Sequence, residues 1–63
     1  MWYQHYKGSR YELVCEAKLE SDPAVILVIY RSEEGLVWAR PREIFFEKVV
    51  HDNRLVDRFK KLD

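Results

Sequence analysis

The sequence predicts an all-β domain: a small, strongly bent sheet or barrel of about five short strands, with one helical turn after Pro41. Three observations predict it. Residues 11–19 alternate apolar and polar side chains with a period of two, the mark of a half-buried strand. Residues 25–31 (Val-Ile-Leu-Val-Ile-Tyr-Arg) are followed by a Ser-Glu-Glu-Gly turn and then by Leu36-Val37-Trp38-Ala39-Arg40-Pro41, which reads as a β-hairpin. Turn-forming clusters recur at roughly ten-residue spacing along the whole chain. The 63 residues make one domain. A chain of that size buries only about 60% of the surface its unfolded form exposes, so large side chains must fill a thin core.

The elements follow in order. Trp2, Tyr3, His5 and Tyr6 give the first residues a ring density unusual for a loose terminus. As a strand they place Trp2 and Tyr6 on one face and Tyr3 and His5 on the other, with one face turned to the core. Gly8-Ser9 marks a turn. In the next strand Tyr11, Leu13, Cys15, Ala17 and Leu19 share the apolar side; Glu12, Glu16, Lys18 and Glu20 share the polar side, interrupted only by Val14. Ser21-Asp22-Pro23 is a turn cluster, because Asp bonds its own backbone and Pro presets φ. Residues 25–31 are β-branched, aromatic and apolar on both faces, which suits a central strand. Gly35 supplies the positive φ of a short hairpin connection. Residues 36–40 return, and Pro41 holds Arg40 extended and ends the pairing. A helical turn over residues 41–44 then leads to a strand over residues 46–50. His51-Asp52-Asn53 turns the chain again. In the tail, Leu55, Phe59 and Leu62 fit helical spacing with Asp52 or Asn53 as a cap; extended pairing of residues 56–62 is the alternative.

Composition narrows the function. Eleven basic side chains balance eleven acidic ones, and zero net charge argues against tight, sequence-blind binding to nucleic acid. Acids gather at residues 12–22 and at Glu33 and Glu34. Arg54, Arg58, Lys60 and Lys61 make the end basic; they could meet phosphates, but a solvated surface pairing with the acidic strand is the more common outcome for such residues. The single cysteine, Cys15, forms no internal disulfide, whereas a secreted domain of this size usually carries several. With no signal segment and an apolar run far too short to cross a bilayer, the expectation is a cytoplasmic, soluble protein with no membrane partner.

Catalytic and metal chemistry find little footing. Ser9, Ser21 and Ser32 lie in expected turns without a glycine-rich elbow. Cys15, on the apolar side of its strand, is expected to behave as a small buried hydrophobe. One Cys with two distant histidines, His5 and His51, does not make a zinc site, and Gly8 and Gly35 make no phosphate-cradling loop. No cofactor or metal is predicted. Trp38 and Arg40 are more informative: two apart on a strand, they face the same way, so the guanidinium can lie against the indole. That pair reads either as a recognition surface or as a cap on the core. The N-terminal rings invite the same pair of readings. The favoured function is a non-catalytic binding module in which Tyr6, Tyr30, Trp38 and Arg40 supply stacking and one charge-assisted contact to a protein, peptide or small-molecule partner. One alternative is a small enzyme using His5 with a nearby carboxylate. Another is a self-associating protein, since residues 25–30 are apolar on both faces. The second face is then covered either by the N-terminal segment, the preferred reading, or by another copy in a homodimer.

His5-Tyr6-Lys7-Gly8, Tyr11, Ala17, Val28-Ile29-Tyr30-Arg31, Trp38-x-Arg40-Pro41, Phe45 and Arg58-Phe59, in that order and spacing, resemble a bacterial family, domain of unknown function 1653. The resemblance spans nearly the whole chain. It implies a small SH3-like β-barrel and therefore an extended last segment over residues 56–62. It implies no reaction, ligand or partner. Two positions depart from the family pattern: Leu19-Glu20-Ser21-Asp22 stands where relatives commonly have His-Ser-Glu-Thr, and Asp57 stands where a proline often precedes the Arg-Phe pair.

Overall fold

Turn chemistry sets the strand lengths. A computed structural model describes residues 1–62, with seven strands and one short helix. β1 is Trp2–His5, β2 Arg10–Leu19, β3 Asp22–Ser32, β4 Val37–Pro41, α1 Arg42–Phe45, β5 Lys48–His51, β6 Arg54–Asp57 and β7 Phe59–Lys61. Gly8, at φ +114°, closes the β1–β2 turn, where its N–H donates to the His5 carbonyl. Only Glu20 and Ser21 separate β2 from β3, so β3 starts at Asp22 and runs through Pro23, which the sequence reading placed in a turn. Pro23 is tolerated because β4 pairs only from Leu27 onward, leaving this end of β3 without a second neighbour. At the β3–β4 turn Gly35 takes φ +93° as expected. The Ser32 side chain adds to the backbone bonds of this turn, accepting from the Leu36 N–H at 3.2 Å. Asp52 and Asn53 both adopt left-handed φ, 53° and 62°, the pattern of a two-residue turn that matches strand twist. Pro41 ends β4 in an extended conformation and precedes the helix, so the helical turn lies one residue later than the sequence suggests.

Five antiparallel strands form one sheet in the order β4-β3-β2-β1-β7, and β5 and β6 form a separate hairpin. The all-β class with a short helix after Pro41 holds. Among the described residues, seven strands replace the expected five, and β4 and β7 remain the edges of the ladder, so the hydrogen bonding there does not close into a barrel. The tail is extended, as the resemblance implies and the helical spacing of Leu55, Phe59 and Leu62 does not. It is split at Arg58 into β6 and β7, which belong to different sheets.

Register decides which face each side chain takes, because directly paired residues share a face. Leu13, Tyr30 and Trp38 pair across β2, β3 and β4, and Val28 pairs with Arg40. Tyr3 pairs with Tyr11, and His5 with Phe59. These residues make the inner face. Between Leu13 and Cys15 the register shifts by one residue. That bulge exchanges the faces beyond it, so Cys15 pairs with Ile29 and Ala17 with Leu27 on the outer side. Cys15 is consequently exposed, a correction to its expected burial. The N-terminal segment also departs from expectation. β1 lies edge-on between β2 and β7 rather than across the second face of β3, where Ile29 and Leu27 are half-buried.

The core is a cluster of rings. Tyr3, Val28, Tyr30, Phe45 and Phe59 are its buried apolar residues, with Tyr11 and Leu13 packed against them. Phe45 enters from α1 and stacks on Phe59 of β7 with centroids 4.1 Å apart and planes 5° apart. It meets Tyr3 edge-on at 5.5 Å and Tyr30 at 5.3 Å. Such pairs contribute about 0.5–1.5 kcal/mol each beyond their burial. One helix turn thus gathers β1, β3 and β7 on a single ring, and the sheet bends around it.

Candidate functional site

The β5–β6 hairpin stands beside the end of β1 and leaves a groove of about 500 Å³ between them. Volumes of about 300–1,000 Å³ suit small ligands. His5 and Tyr6 line it from the end of β1, His51, Leu55 and Val56 from the hairpin, and Lys60 from β7. The two walls touch through Tyr6, whose ring lies 4.6 Å from His5 and meets His51 edge-on at 5.2 Å. Backbone bonds fix this approach: the Tyr6 N–H donates to the Arg58 carbonyl at 3.0 Å, and the Arg58 N–H donates to the Glu47 carbonyl at 3.1 Å. Both histidines of the chain, far apart in sequence, therefore flank one tyrosine.

His5 is held neutral at pH 7. Its pKa lies below the usual 6.5, first because burial penalises the charged ring and then because Arg40, Arg58 and Lys7 repel a proton there. Its Nδ1 accepts a hydrogen bond from the Lys7 N–H at 3.2 Å, which leaves the proton of the neutral ring on Nε2. Among the described residues no carboxylate bonds to His5. Asp57, the acid in the groove lining, pairs with Lys48 at 3.1 Å. The geometry supplies the histidine of the enzyme reading without the carboxylate that would orient it. No group of three or more His, Cys, Asp or Glu residues among those described could hold a metal ion.

The family described as a protein of unknown function, DUF1653, matches residues 1–61. The chain belongs to this family. No curated protein and no solved structure matches the chain. The family's description assigns no reaction. Several residues that carry the family resemblance meet around one ring. Phe59 is contacted by Phe45 at 4.1 Å, His5 at 4.9 Å, Tyr30 at 5.4 Å and Tyr11 at 5.7 Å, and the Arg40 guanidinium lies over it at 5.4 Å.

The four residues chosen from sequence separate into distinct places. Tyr6 lines the groove. Tyr30 is 5% exposed and belongs to the core, where its ring centre lies 5.4 Å from that of Phe59. Arg40 turns its guanidinium to Phe59, where its charge reaches His5, and not to the neighbouring indole. Trp38 shares that inner face at the β4 edge and is 50% exposed, too open to seal the core fully. Lys48, His51, Leu55 and Val56 were not singled out as a site by sequence, and Lys60 was weighed only as part of the basic end. The Asp52-Asn53 turn was legible and implies the hairpin, but nothing local says that the hairpin returns to Tyr6. No described helix is long and apolar enough to cross a membrane.

Proposed function

We propose that the protein is a non-catalytic binding module whose ligand enters the groove between Tyr6 and the β5–β6 hairpin. One observation carries the reading: His5, Tyr6 and His51 converge on an open groove backed by the apolar side chains of Leu55 and Val56. Aromatic and apolar walls with a few polar groups are the usual makeup of a small-ligand site. Tyr6 provides the ring contact, and Arg40 acts from behind, as a fixed charge over Phe59. The absence of a carboxylate bonded to His5 among the described residues favours binding over acid–base chemistry. An exposed, unpaired Cys15 supports a cytoplasmic, reducing location.

Chemical-shift mapping against short peptides, single-stranded oligonucleotides and small flat metabolites tests this. A ligand is expected to move the signals of Tyr6, His5 and His51 together, and Tyr6→Ala is expected to abolish the response. Shifts confined to the Trp38 indole would transfer the site to the β4 edge. No response from any probe would remove the binding reading.

A further inference from the structure

The groove carries a charge imbalance that restricts what it can hold. Lys60 lines it, the Lys7 ammonium lies 5.9 Å from the centre of the Tyr6 ring, and the Arg40 guanidinium lies 5.4 Å from the centre of the Phe59 ring that His5 also contacts. None of these three cations has a carboxylate partner within ion-pair distance among the described residues. Of the carboxylates nearby, Asp57 is engaged by Lys48 and Glu47 by Arg58, while Asp52 lies 3.5 Å from the His51 imidazole at the tip of the hairpin. Unopposed positive charge beside low-dielectric ring walls concentrates field in a cleft and attracts the opposite sign. A neutral His5 with its proton on Nε2 adds a donor without needing to be charged.

Resting on the binding reading above, we propose that this groove selects ligands bearing an anionic group, phosphate or carboxylate, on a flat ring, with the ring against the Tyr6 wall and the anion met by Lys60 and His5. The two contacts proposed for the anion are complementary to it: ammonium and imidazole N–H groups donate, and the anion's oxygens accept. A bound anion also opposes the charges that face His5, namely Lys7 on its own turn, Arg40 from β4 and Arg58 before β7, while the Tyr6 and His51 rings pack alongside. By linkage, an anion in the groove makes protonation of His5 easier, and protonation of His5 tightens the anion.

The test holds the ring constant and varies its charge. Phenyl phosphate, benzoate, phenol and benzylamine are titrated against the isotope-labelled chain at low salt, with the His5, Tyr6 and His51 signals as the readout. Phenyl phosphate and benzoate are expected to bind about tenfold tighter than phenol, the scale of one charge-assisted contact, with benzylamine weakest. Lys60→Gln should weaken both anions several-fold and leave phenol unchanged. The His5 titration midpoint should rise when phenyl phosphate is present. Comparison of the two anions tells phosphate from carboxylate. Equal affinity for phenol and the anions would overturn the charge selection while leaving the binding reading standing. No movement of the groove signals with any of the four probes would overturn both.

Discussion

The five-stranded sheet and the β5–β6 hairpin are built on opposite principles. In the sheet, strands as distant in sequence as β1 and β7 are tied together by rings that meet in one place, and Val28 and Phe45 have no exposed surface at all. In the hairpin, Val50 is 73% and Leu55 66% exposed, and what holds the two strands is their own ladder, a two-residue turn and the Lys48–Asp57 ion pair. Exposed ion pairs are worth roughly 0.2–1 kcal/mol, so the hairpin relies on local backbone geometry and the sheet on burial. The groove lies where the two meet. One of its walls is anchored to the core through His5 and Phe59, and the other is set by a turn.

Substitutions can break or sharpen that contrast. The largest effect is expected at Phe45: replacing it with Ala removes the ring that gathers three strands and costs about 3–5 kcal/mol. For a chain of this length that approaches the entire stability, so denaturant titration should find little folded protein. Asn53→Val acts on the other principle, forcing a β-branched residue into left-handed backbone at a cost of about 1–2 kcal/mol. Hydrogen exchange should then quicken in β5 and β6 while β3 amides keep their protection; equal quickening in both would mean the hairpin is not a separate unit.

A pH-dependent effect comes next. The folded pKa of His5 lies below the unfolded 6.5, so between the two values the unfolded chain binds a proton that the folded chain refuses. The stabilisation is complete above about pH 6.5 and is lost as pH falls toward the folded value. His5→Gln should flatten that part of the stability profile, as read by denaturation midpoints across pH. The smallest effect belongs to Val50→Thr, on the exposed hairpin surface, which should change stability by no more than about 0.5 kcal/mol.

What the sequence disclosed follows the same division. Period-two patterning, Gly35, Pro41 and the Asp52-Asn53 pair are local signals, and the strands and turns they imply are present. Cys15 was misread because a bulge between Leu13 and Cys15 reverses the side chains that follow it, and the one break in the alternation there, Val14, reads equally well as a single exposed apolar residue. The helical spacing of Leu55, Phe59 and Leu62 misled because Phe59 is claimed by the core, which splits the tail at Arg58. Of the candidate site, Tyr6 was legible from ring density. The burial of Tyr30, a candidate binding residue from sequence, was not legible because it depends on Phe45 and Phe59 arriving from elsewhere. His51 was invisible as a partner of Tyr6, since only the docking of the hairpin brings them together.

That docking is the claim on which the groove depends, and proton–proton Overhauser contacts between the Tyr6 and His51 rings test it directly. With centroids 5.2 Å apart, the two rings should give clear cross-peaks that persist in Val50→Thr and weaken in Asn53→Val. Cross-peaks within the hairpin and within the core, with none between Tyr6 and His51, would contradict the account.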